Sequence, residues 1–168
     1  MEYEFAYYKS FAVPNQEIRG RNGIAYWLDR EPIVWVDTEG SSHETPRNMV
    51  SDGYSVPKLC WALLAWLDSR IPGFVHDSEY WLQPCSKKLA DYNIYAGVCS
   101  LAIGKPRHKR FLIRRAARII WCGLKVGGWK AWNRYEKQLE ELGYAGVLSL
   151  HTAETLSEAR IIAMQGAV

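Results

Sequence analysis

The sequence has no long apolar run and no strong net charge. Its longest apolar runs, at 59–67 and 119–124, are far shorter than the roughly 20 residues that a membrane helix needs. The formal net charge is only +3, so bulk charge gives no argument for nucleic acid. No apolar segment follows the acidic residues 1–4, which predicts that no signal peptide is present. We therefore expect synthesis in the cytoplasm and no membrane span.

Several chemical motifs are also missing. The four cysteines, Cys60, Cys85, Cys99 and Cys122, form no C-x-x-C pair, which argues against a zinc knuckle. Most lie among apolar residues in predicted helices, so we expect buried free thiols in a reducing compartment. The glycines at 123, 127 and 128 lack the preceding strand of a phosphate-binding loop. No G-x-S-x-G elbow is present for a nucleophilic serine.

The composition fits one globular domain with a large core. The chain has 168 residues, 48% of them hydrophobic, and contains eight Trp and ten Tyr. A chain of this length is large enough to bury a core. Aromatic side chains at this density fill cores and, in some proteins, interfaces. We expect a single domain over 1–168.

The first third, about residues 1–50, is predicted to be mostly β. Runs rich in Tyr, Trp, Ile and Val lie at 2–9, 23–29 and 33–37, and turn-forming residues separate them. Residues 29–32 are short enough for a hairpin turn between the last two runs. Residues 38–48 contain Gly, Ser and Pro and are predicted to be a polar loop.

The remainder, about residues 57–165, is predicted to be mostly helical. Pro57 suits the first turn of a helix whose leucines follow at helical spacing. A loop at Pro72-Gly73 then leads to a short helix that carries His76. Ser86 is the predicted N-cap of a helix over 87–103, which Gly104 and Pro106 end. Further helices are predicted at 107–124, at 129–142 and, behind a capping box, at 156–165. The expected class is α+β: a small N-terminal antiparallel sheet packed on a bundle of about five helices.

The chemically densest part of the chain comprises three short polar segments. A turn, 51–57, contains Asp52, Tyr54 and Ser55, the pair His76-Asp77 follows, and Asp91 lies within a predicted helix. Oxygen ligands and an imidazole brought into one pocket can hold a divalent metal or perform acid–base chemistry. The candidate catalytic residues are Asp52, Tyr54, Ser55, His76, Asp77 and Asp91. The candidate metal ligands are Asp52, His76, Asp77 and Asp91.

Each of these residues also has an ordinary structural interpretation. Ser55 and Asp52 can cap the helix that follows them. His76 can be a core histidine, because neighbouring helical residues point about 100° apart and need not act together. Asp91 needs a partner if it is buried, and that partner can be His76, a metal or an arginine of the 107–118 segment.

The residue types in the sequence suggest two further catalytic arrangements. His43, His76-Asp77 and Asp91 follow the H…HD…D order of metal-dependent phosphohydrolases. In that fold the ligands lie on helices, whereas His43 falls in a predicted loop, so the sequence argues against membership. Ser55, His76 and Asp91 have the residue types of a nucleophilic triad, without the elbow motif.

A basic helix follows the polar segments. Residues 105–130 contain nine Lys or Arg and no Asp or Glu. Arg107, Arg110, Arg114 and Arg118 recur every three or four residues and therefore share one stripe. A solvated helix face explains this stripe, as does binding of nucleic acid or an acidic partner. The tryptophans at 121, 129 and 132 can stack on bases, but their spacing favours the core.

The three polar segments together resemble domain-of-unknown-function family 1353 of phages and prophages. The family pattern is roughly P-x-G-F-x-T-D-G-A-S-x-P, then H-D, then S-R-K-x-A-D, with a late arginine-rich helix before a G-x-x-x-W-like segment. The resemblance covers about residues 46–132. The matching residues are Asp52, Ser55, Pro57, His76, Asp77 and Asp91. The departures are Asn48 for Gly, Met49 for an aromatic residue, Ser51 for Thr, Tyr54 for Ala and Lys87 for Arg.

The resemblance implies a phage or prophage origin, a role near the virion, tail or lysis functions, and one shared site for the matched residues. The family brings no established activity. The leading hypothesis is a small metal-dependent hydrolase acting on cell wall or another polymer, made in the host cytoplasm. The alternatives are a non-enzymatic virion protein, which would bind other virion proteins, and a nucleic-acid-binding protein that uses the arginine stripe.

Overall fold

A computed structural model describes residues 7–8, 16–19, 25–29, 32–36, 40–47, 49–51 and 70–141. The strands are β1 (Tyr7–Tyr8), β2 (Gln16–Arg19), β3 (Ala25–Asp29), β4 (Val34–Val36), β5 (Ser42–Glu44) and β6 (Met49–Ser51). The helices are α1 (Arg70–Leu82), α2 (Lys87–Ser100), α3 (Arg107–Gly127) and α4 (Trp129–Glu141). This order agrees with the predicted α+β class. The predicted helices after Pro57 and at 156–165 lie outside the described residues, so the count of five helices is not confirmed.

The strands form two small antiparallel sheets rather than one. Their orders are β1-β4-β5 and β2-β3-β6. The predicted hairpin at 29–32 is therefore wrong, because β3 and β4 are successive strands that belong to different sheets. In the first sheet, Trp35 lies opposite His43. In the second, Trp27 lies opposite Ser51.

The predicted polar loop over 38–48 contains a strand. Strand β5 has the sequence Ser-His-Glu, which alone gives little β signal. It is held by pairing with β4 and by stacking of the His43 ring on Trp35, with centroids 5.2 Å apart. The adjacent Thr45 is buried, and its Oγ1 accepts a hydrogen bond from the Ile33 backbone N–H at 2.8 Å. Tertiary contacts thus outweigh local composition here.

Helix α1 begins earlier than predicted, at Arg70, and includes Pro72 and Gly73. Proline is tolerated in a first helical turn because its missing N–H would have no intrahelical partner there. The earlier start gives α1 enough length to carry His76 and Tyr80 on successive turns. Their rings are in contact, with centroids 4.2 Å apart.

The ends of α2 follow the predicted signals. Ser86 caps its N-terminus, where its Oγ accepts a hydrogen bond from the Leu89 N–H at 3.3 Å. The helix ends at Ser100 rather than 103, and turns lead to Gly104, whose φ is +73°. Glycine adopts this left-handed conformation without strain. Helix α3 then runs to Gly127, three residues beyond the prediction.

The largest apolar cluster lies between α2 and α3. It contains Ile94, Val98, Ala102, Ile113, Ala116, Ala117, Ile120 and Leu124. A second cluster, of Trp35, Val75 and Ala96, packs β4 against α1 and α2. A third, of Tyr80, Ala90 and Trp132, packs α4 against α1 and α2. These contacts fix the mutual positions of the polar residues that α1 and α2 carry.

Candidate functional site

His76, Asp77 and Asp91 come together where α1 crosses α2. His76 is only 1% exposed. Its Nδ1 lies 3.9 Å from Asp77 Oδ1, and its Nε2 lies 3.7 Å from Asp91 Oδ1. These separations allow strong charge attraction, although they exceed hydrogen-bonding distance. The imidazole therefore lies between two carboxylates, one from its own helix and one from the next.

Ser51 connects the same cluster to the β half of the chain. Ser51 ends β6, is buried, and donates a hydrogen bond from its Oγ to Asp77 Oδ2. Ser51 is the first residue of the 51–57 turn, and Asp52 is the next residue in the chain. The structure thus brings the start of that turn, the His-Asp pair and the Asp91 helix into one cluster. Asp52, Tyr54 and Ser55 themselves lie outside the described residues.

Besides nearby His76, Asp91 has two partners that the sequence did not suggest, Lys87 and Tyr80. Its Oδ2 accepts a hydrogen bond from Lys87 Nζ at 2.6 Å, and its Oδ1 accepts one from the Tyr80 hydroxyl at 2.5 Å. Lys87 lies four residues before Asp91 and is itself 4% exposed. The stripe of Arg107, Arg110, Arg114 and Arg118 faces solvent instead. A buried ion pair hence replaces the long-range salt bridge that was considered.

Lys87 also contacts the end of α3. Its Nζ donates to the Leu124 carbonyl at 3.1 Å, a last-turn carbonyl that also accepts a hydrogen bond from the Gly128 N–H at 2.8 Å. A cation at this end also interacts favourably with the helix dipole. The approach of α4 is equally close: a Cβ built on Gly128 would lie 2.4 Å from the Tyr80 hydroxyl oxygen and 3.0 Å from Lys87 Nζ. Gly128 is therefore required for packing, a role that the sequence did not show.

A second buried polar pair borders the cluster. Asn93 Nδ2 donates to Glu79 Oε1 at 2.6 Å, and both residues are 1% exposed. Neither residue was predicted to belong to the site. The only sequence signal was helical spacing. Glu79 follows His76 by three residues and Asn93 follows Ala90 by three residues, so each pair lies on one helix face.

The charges in the cluster shift two pKa values in opposite directions. Burial acts to lower the pKa of His76, but the contacts with Asp77 and Asp91 and the charges of Asp77 and Glu79 outweigh it and raise that pKa above 6.5. Burial acts to raise the pKa of Asp91, but His76, Lys87 and Tyr80 stabilise its ionised form and lower the pKa below 3.8. Both shifts favour the charged forms, an imidazolium at His76 and a carboxylate at Asp91.

Tyr80 is held in its neutral form. Burial, followed by its hydrogen bond to Asp91 and the neighbouring negative charges, raises the pKa of its hydroxyl well above the ordinary value of 10.0. Its ring contacts Trp132 edge-on, with centroids 5.2 Å apart. Tyr80 is thus a fixed hydrogen-bond donor to Asp91 rather than a base.

Three of the four predicted metal ligands, His76, Asp77 and Asp91, lie among the described residues. Among the described residues, no group of three or more His, Cys, Asp or Glu side chains is arranged to hold an ion. His43, His76, Asp77 and Asp91 are all described, so the phosphohydrolase arrangement is not assembled. Asp91 is already paired with Lys87, with Nζ 2.6 Å from Oδ2. A site completed by Asp52 stays a prediction, as does a triad that includes Ser55.

Other sequence expectations have mixed outcomes. Cys85 and Cys99 are half-buried and Cys122 is exposed, whereas the sequence predicts buried thiols. Burial is the main influence that raises the pKa of Cys99. Trp132 is in the core as expected, whereas Trp129 is 56% exposed. Cys60 lies outside the described residues.

None of the helices in the described part of the chain is both long and apolar enough to cross a membrane. No family model, no curated protein and no solved structure matches the chain at a significant level.

Proposed function

We propose that the chain is a phage-encoded hydrolase whose reaction centre lies at the junction of β6, α1 and α2. The observation that carries this proposal is the meeting of Ser51, the His76-Asp77 pair and Asp91 in one cluster. Charged groups in a protein interior carry a desolvation cost, and catalytic sites are where such groups are repeatedly found. The three polar segments that resemble the phage family contribute to this one cluster.

Each described residue has a definite task in the proposed reaction. Asp77 is the most solvent-accessible of the three, with 12% of its side chain exposed, so it is the candidate general base towards a water molecule. His76, whose pKa is raised by the neighbouring carboxylates, is the candidate general acid. Asp91, fixed by Lys87 and Tyr80, favours the charged form of His76 and is therefore a positioning residue.

The residues of the adjoining turn complete the proposal. Tyr54 and Ser55 would position substrate or a developing oxyanion. Asp52, the next residue after Ser51 in the sequence, is the residue through which a divalent cation would be bound, if one is used. Such a cation would supply Lewis-acid activation of water. A cell-wall polymer or a similar polymer is the proposed substrate class.

Two variants of similar size test the proposal. Asp77→Asn keeps the shape and removes the base, and Glu79→Gln makes the same chemical change at a buried neighbour. Activity is measured as the release of dye from labelled peptidoglycan sacculi. Metal content is measured separately, by elemental mass spectrometry, for wild type and His76→Ala. We expect a loss of at least about 100-fold for Asp77→Asn, beyond any loss for Glu79→Gln. Full activity in Asp77→Asn would refute the catalytic assignment.

A non-enzymatic virion protein is the second candidate, and a specific observation favours it. Both Asp91 oxygens have partners within the fold, and the Ser51–Asp77 hydrogen bond joins a strand to a helix. A cluster of this kind can simply brace the junction between the β and helical halves. This candidate predicts that the wild type neither degrades sacculi nor binds divalent cations. It also predicts that the purified protein forms a stable complex with other virion proteins.

A further inference from the structure

The exposed large apolar side chains in the described part of the chain are confined to one stretch, from the turn before α3 to the start of α4. They are Ile103, Phe111, Leu112, Ile119, Val126 and Trp129, with exposed fractions between 45% and 88%. Scattered single apolar residues on a surface are ordinary, but a contiguous set marks a binding surface. We refer to these six residues and the cations among them as the α3 surface.

The α3 surface also carries a one-sided charge. No Asp or Glu occurs in the sequence between Asp91 and Glu136, whereas this stretch contains ten Lys or Arg. The arginines of the predicted stripe, at 107, 110, 114 and 118, are all exposed. Arg115 lies over the Phe111 ring at 5.0 Å, and Lys125 lies over the Trp121 ring at 3.7 Å. Cations and apolar groups are therefore interleaved on one surface.

The positions around the helix show how the two kinds of side chain are arranged. Leu112, Ile119 and Val126 are seven residues apart and lie on one side of the exposed face. Arg118 and Lys125 lie on the other side. The positions that would complete a coiled-coil seam with the three apolar residues are His108, Arg115 and Cys122. A partner helix would thus meet a seam that is only half apolar.

This arrangement distinguishes between the possible occupants. A second copy is disfavoured, because two acid-free basic surfaces would repel each other. Nucleic acid satisfies the arginines, but it offers no apolar environment for Leu112, Ile119 and Val126. An anionic lipid surface satisfies both: acyl chains accept the aliphatic groups, phosphate head groups pair with the cations, and arginines can extend from an apolar region to the head groups.

We propose that the α3 surface binds peripherally to membranes that contain anionic lipids. Helix α3 lies along the membrane plane, and Phe111, Leu112, Ile119 and Val126 enter the region between head groups and acyl chains. Trp129, at the start of α4, suits the polar–apolar boundary. The inference is independent of the hydrolase proposal, because it uses no residue of the His76 cluster.

Vesicle co-sedimentation tests the proposal with the full chain. The probes are vesicles of phosphatidylcholine alone and of phosphatidylcholine with phosphatidylglycerol at three to one. We expect binding to the anionic vesicles that weakens at high salt, and far less binding to neutral ones. Arg114→Gln/Arg118→Gln should lower the partition coefficient roughly 30-fold, since each cation near the surface contributes about fivefold. Leu112→Ser/Ile119→Ser should also lower it by at least about tenfold, with charge unchanged.

The matched control is Lys88→Gln/Lys137→Gln, which removes two exposed cations outside the α3 surface. It should bind anionic vesicles like wild type, and circular dichroism should show all variants folded. Equal binding to both kinds of vesicle, or none to either, would refute the proposal. A nucleic-acid interface would refute the proposal in a different way. In that case vesicle binding would be absent, and the protein would bind a 20-base-pair duplex tightly. The arginine variant would lose this binding, and the Leu112/Ile119 variant would keep it.

Discussion

Lys87 and Asp91 form a buried ion pair one helical turn apart, with Nζ 2.6 Å from Oδ2. The pair joins three helices, because Asp91 also accepts from Tyr80 on α1 and Lys87 also donates to Leu124 on α3. A buried pair of this kind adds little net stability compared with an apolar pair. Removing one partner, however, leaves the other charge buried and uncompensated in a low dielectric. Its main effect is to fix how the helices meet at His76.

The first prediction concerns this pair. Lys87→Met should lower the free energy of unfolding by about 3–5 kcal/mol, because Asp91 then loses its cation. The control is Lys137→Met on α4. Lys137 has the same i,i+4 spacing to Glu141, but it is 76% exposed and 3.8 Å from its partner, so the loss there should not exceed about 0.5 kcal/mol.

Urea unfolding of Lys87→Met, Lys137→Met, Asp91→Asn and the double variant Lys87→Met/Asp91→Asn measures the effect. The double variant should lose less than the sum of the two single changes, because the two residues interact directly. Equal losses for Lys87→Met and Lys137→Met would show that burial of the first pair has no energetic consequence.

The second prediction concerns the pH dependence of stability. The pKa of His76 is raised above 6.5 in the folded protein. Protonated His76 therefore stabilises the fold fully below about pH 6.5, and this contribution is lost as the pH rises through the folded-state pKa. The pKa of Asp91 is lowered below 3.8, so its contribution is present above that pH and is lost on acidification.

Thermal unfolding between pH 3 and pH 9 measures both limbs of the stability profile. The alkaline limb is the loss of stability as the pH rises, and the acid limb is the loss as the pH falls. His76→Gln should remove the alkaline loss, and Asp91→Asn should remove part of the acid loss. The control is His108→Gln, which changes an exposed imidazole outside the cluster and should leave the alkaline limb in place. An unchanged alkaline limb in His76→Gln would contradict the assignment.

Much of the helical half could be predicted from the sequence because its signals are local. The Ser86 cap, the stop at Gly104 and Pro106, and the periodicity of α3 depend on residues within a few positions of each other. The β half was predicted less well. Strand β5 depends on its partner β4, and assigning β3 and β4 to separate sheets depends on contacts distant in sequence.

The site shows the same division between local and distant information. The sequence leaves His76, a metal and an arginine of the 107–118 segment open as partners of Asp91, and the structure places His76 Nε2 3.7 Å from it. The sequence did not indicate Lys87 or Tyr80, which donate hydrogen bonds to Asp91. The Lys87–Asp91 spacing was visible in the sequence, whereas the burial of Lys87 depends on Tyr80, Trp129 and the end of α3. The exposure of Leu112 and Ile119 was likewise unforeseen, since helical spacing alone does not show which face has a neighbour.

The third prediction concerns Gly128, between α3 and α4. Gly128→Ala should destabilise the protein by about 1–3 kcal/mol, because the new methyl group would overlap the buried Tyr80 hydroxyl and approach Lys87. Gly127→Ala is the matched control. Its Cβ would meet nothing within 4 Å, and alanine within a helix is favoured over glycine by about 0.5–1 kcal/mol. Chemical denaturation should therefore give opposite signs for these adjacent substitutions, and the same sign for both would contradict the close packing.

The fourth prediction concerns the connection between β6 and α1. Ser51→Ala removes a hydrogen bond to Asp77, and a hydrogen bond to a charged group contributes about 1.5–3 kcal/mol. Because Asp77 retains some access to water, we expect a loss near the lower end of that range. Ser42→Ala, at an exposed position of β5, should change stability by less than about 0.5 kcal/mol.

Hydrogen exchange of the Ser51→Ala variant should also be faster at Val50 and Ser51 than in wild type, while the core of α3 keeps its protection. Uniform acceleration throughout α3 would instead mean that Ser51 stabilises the whole fold and not this junction.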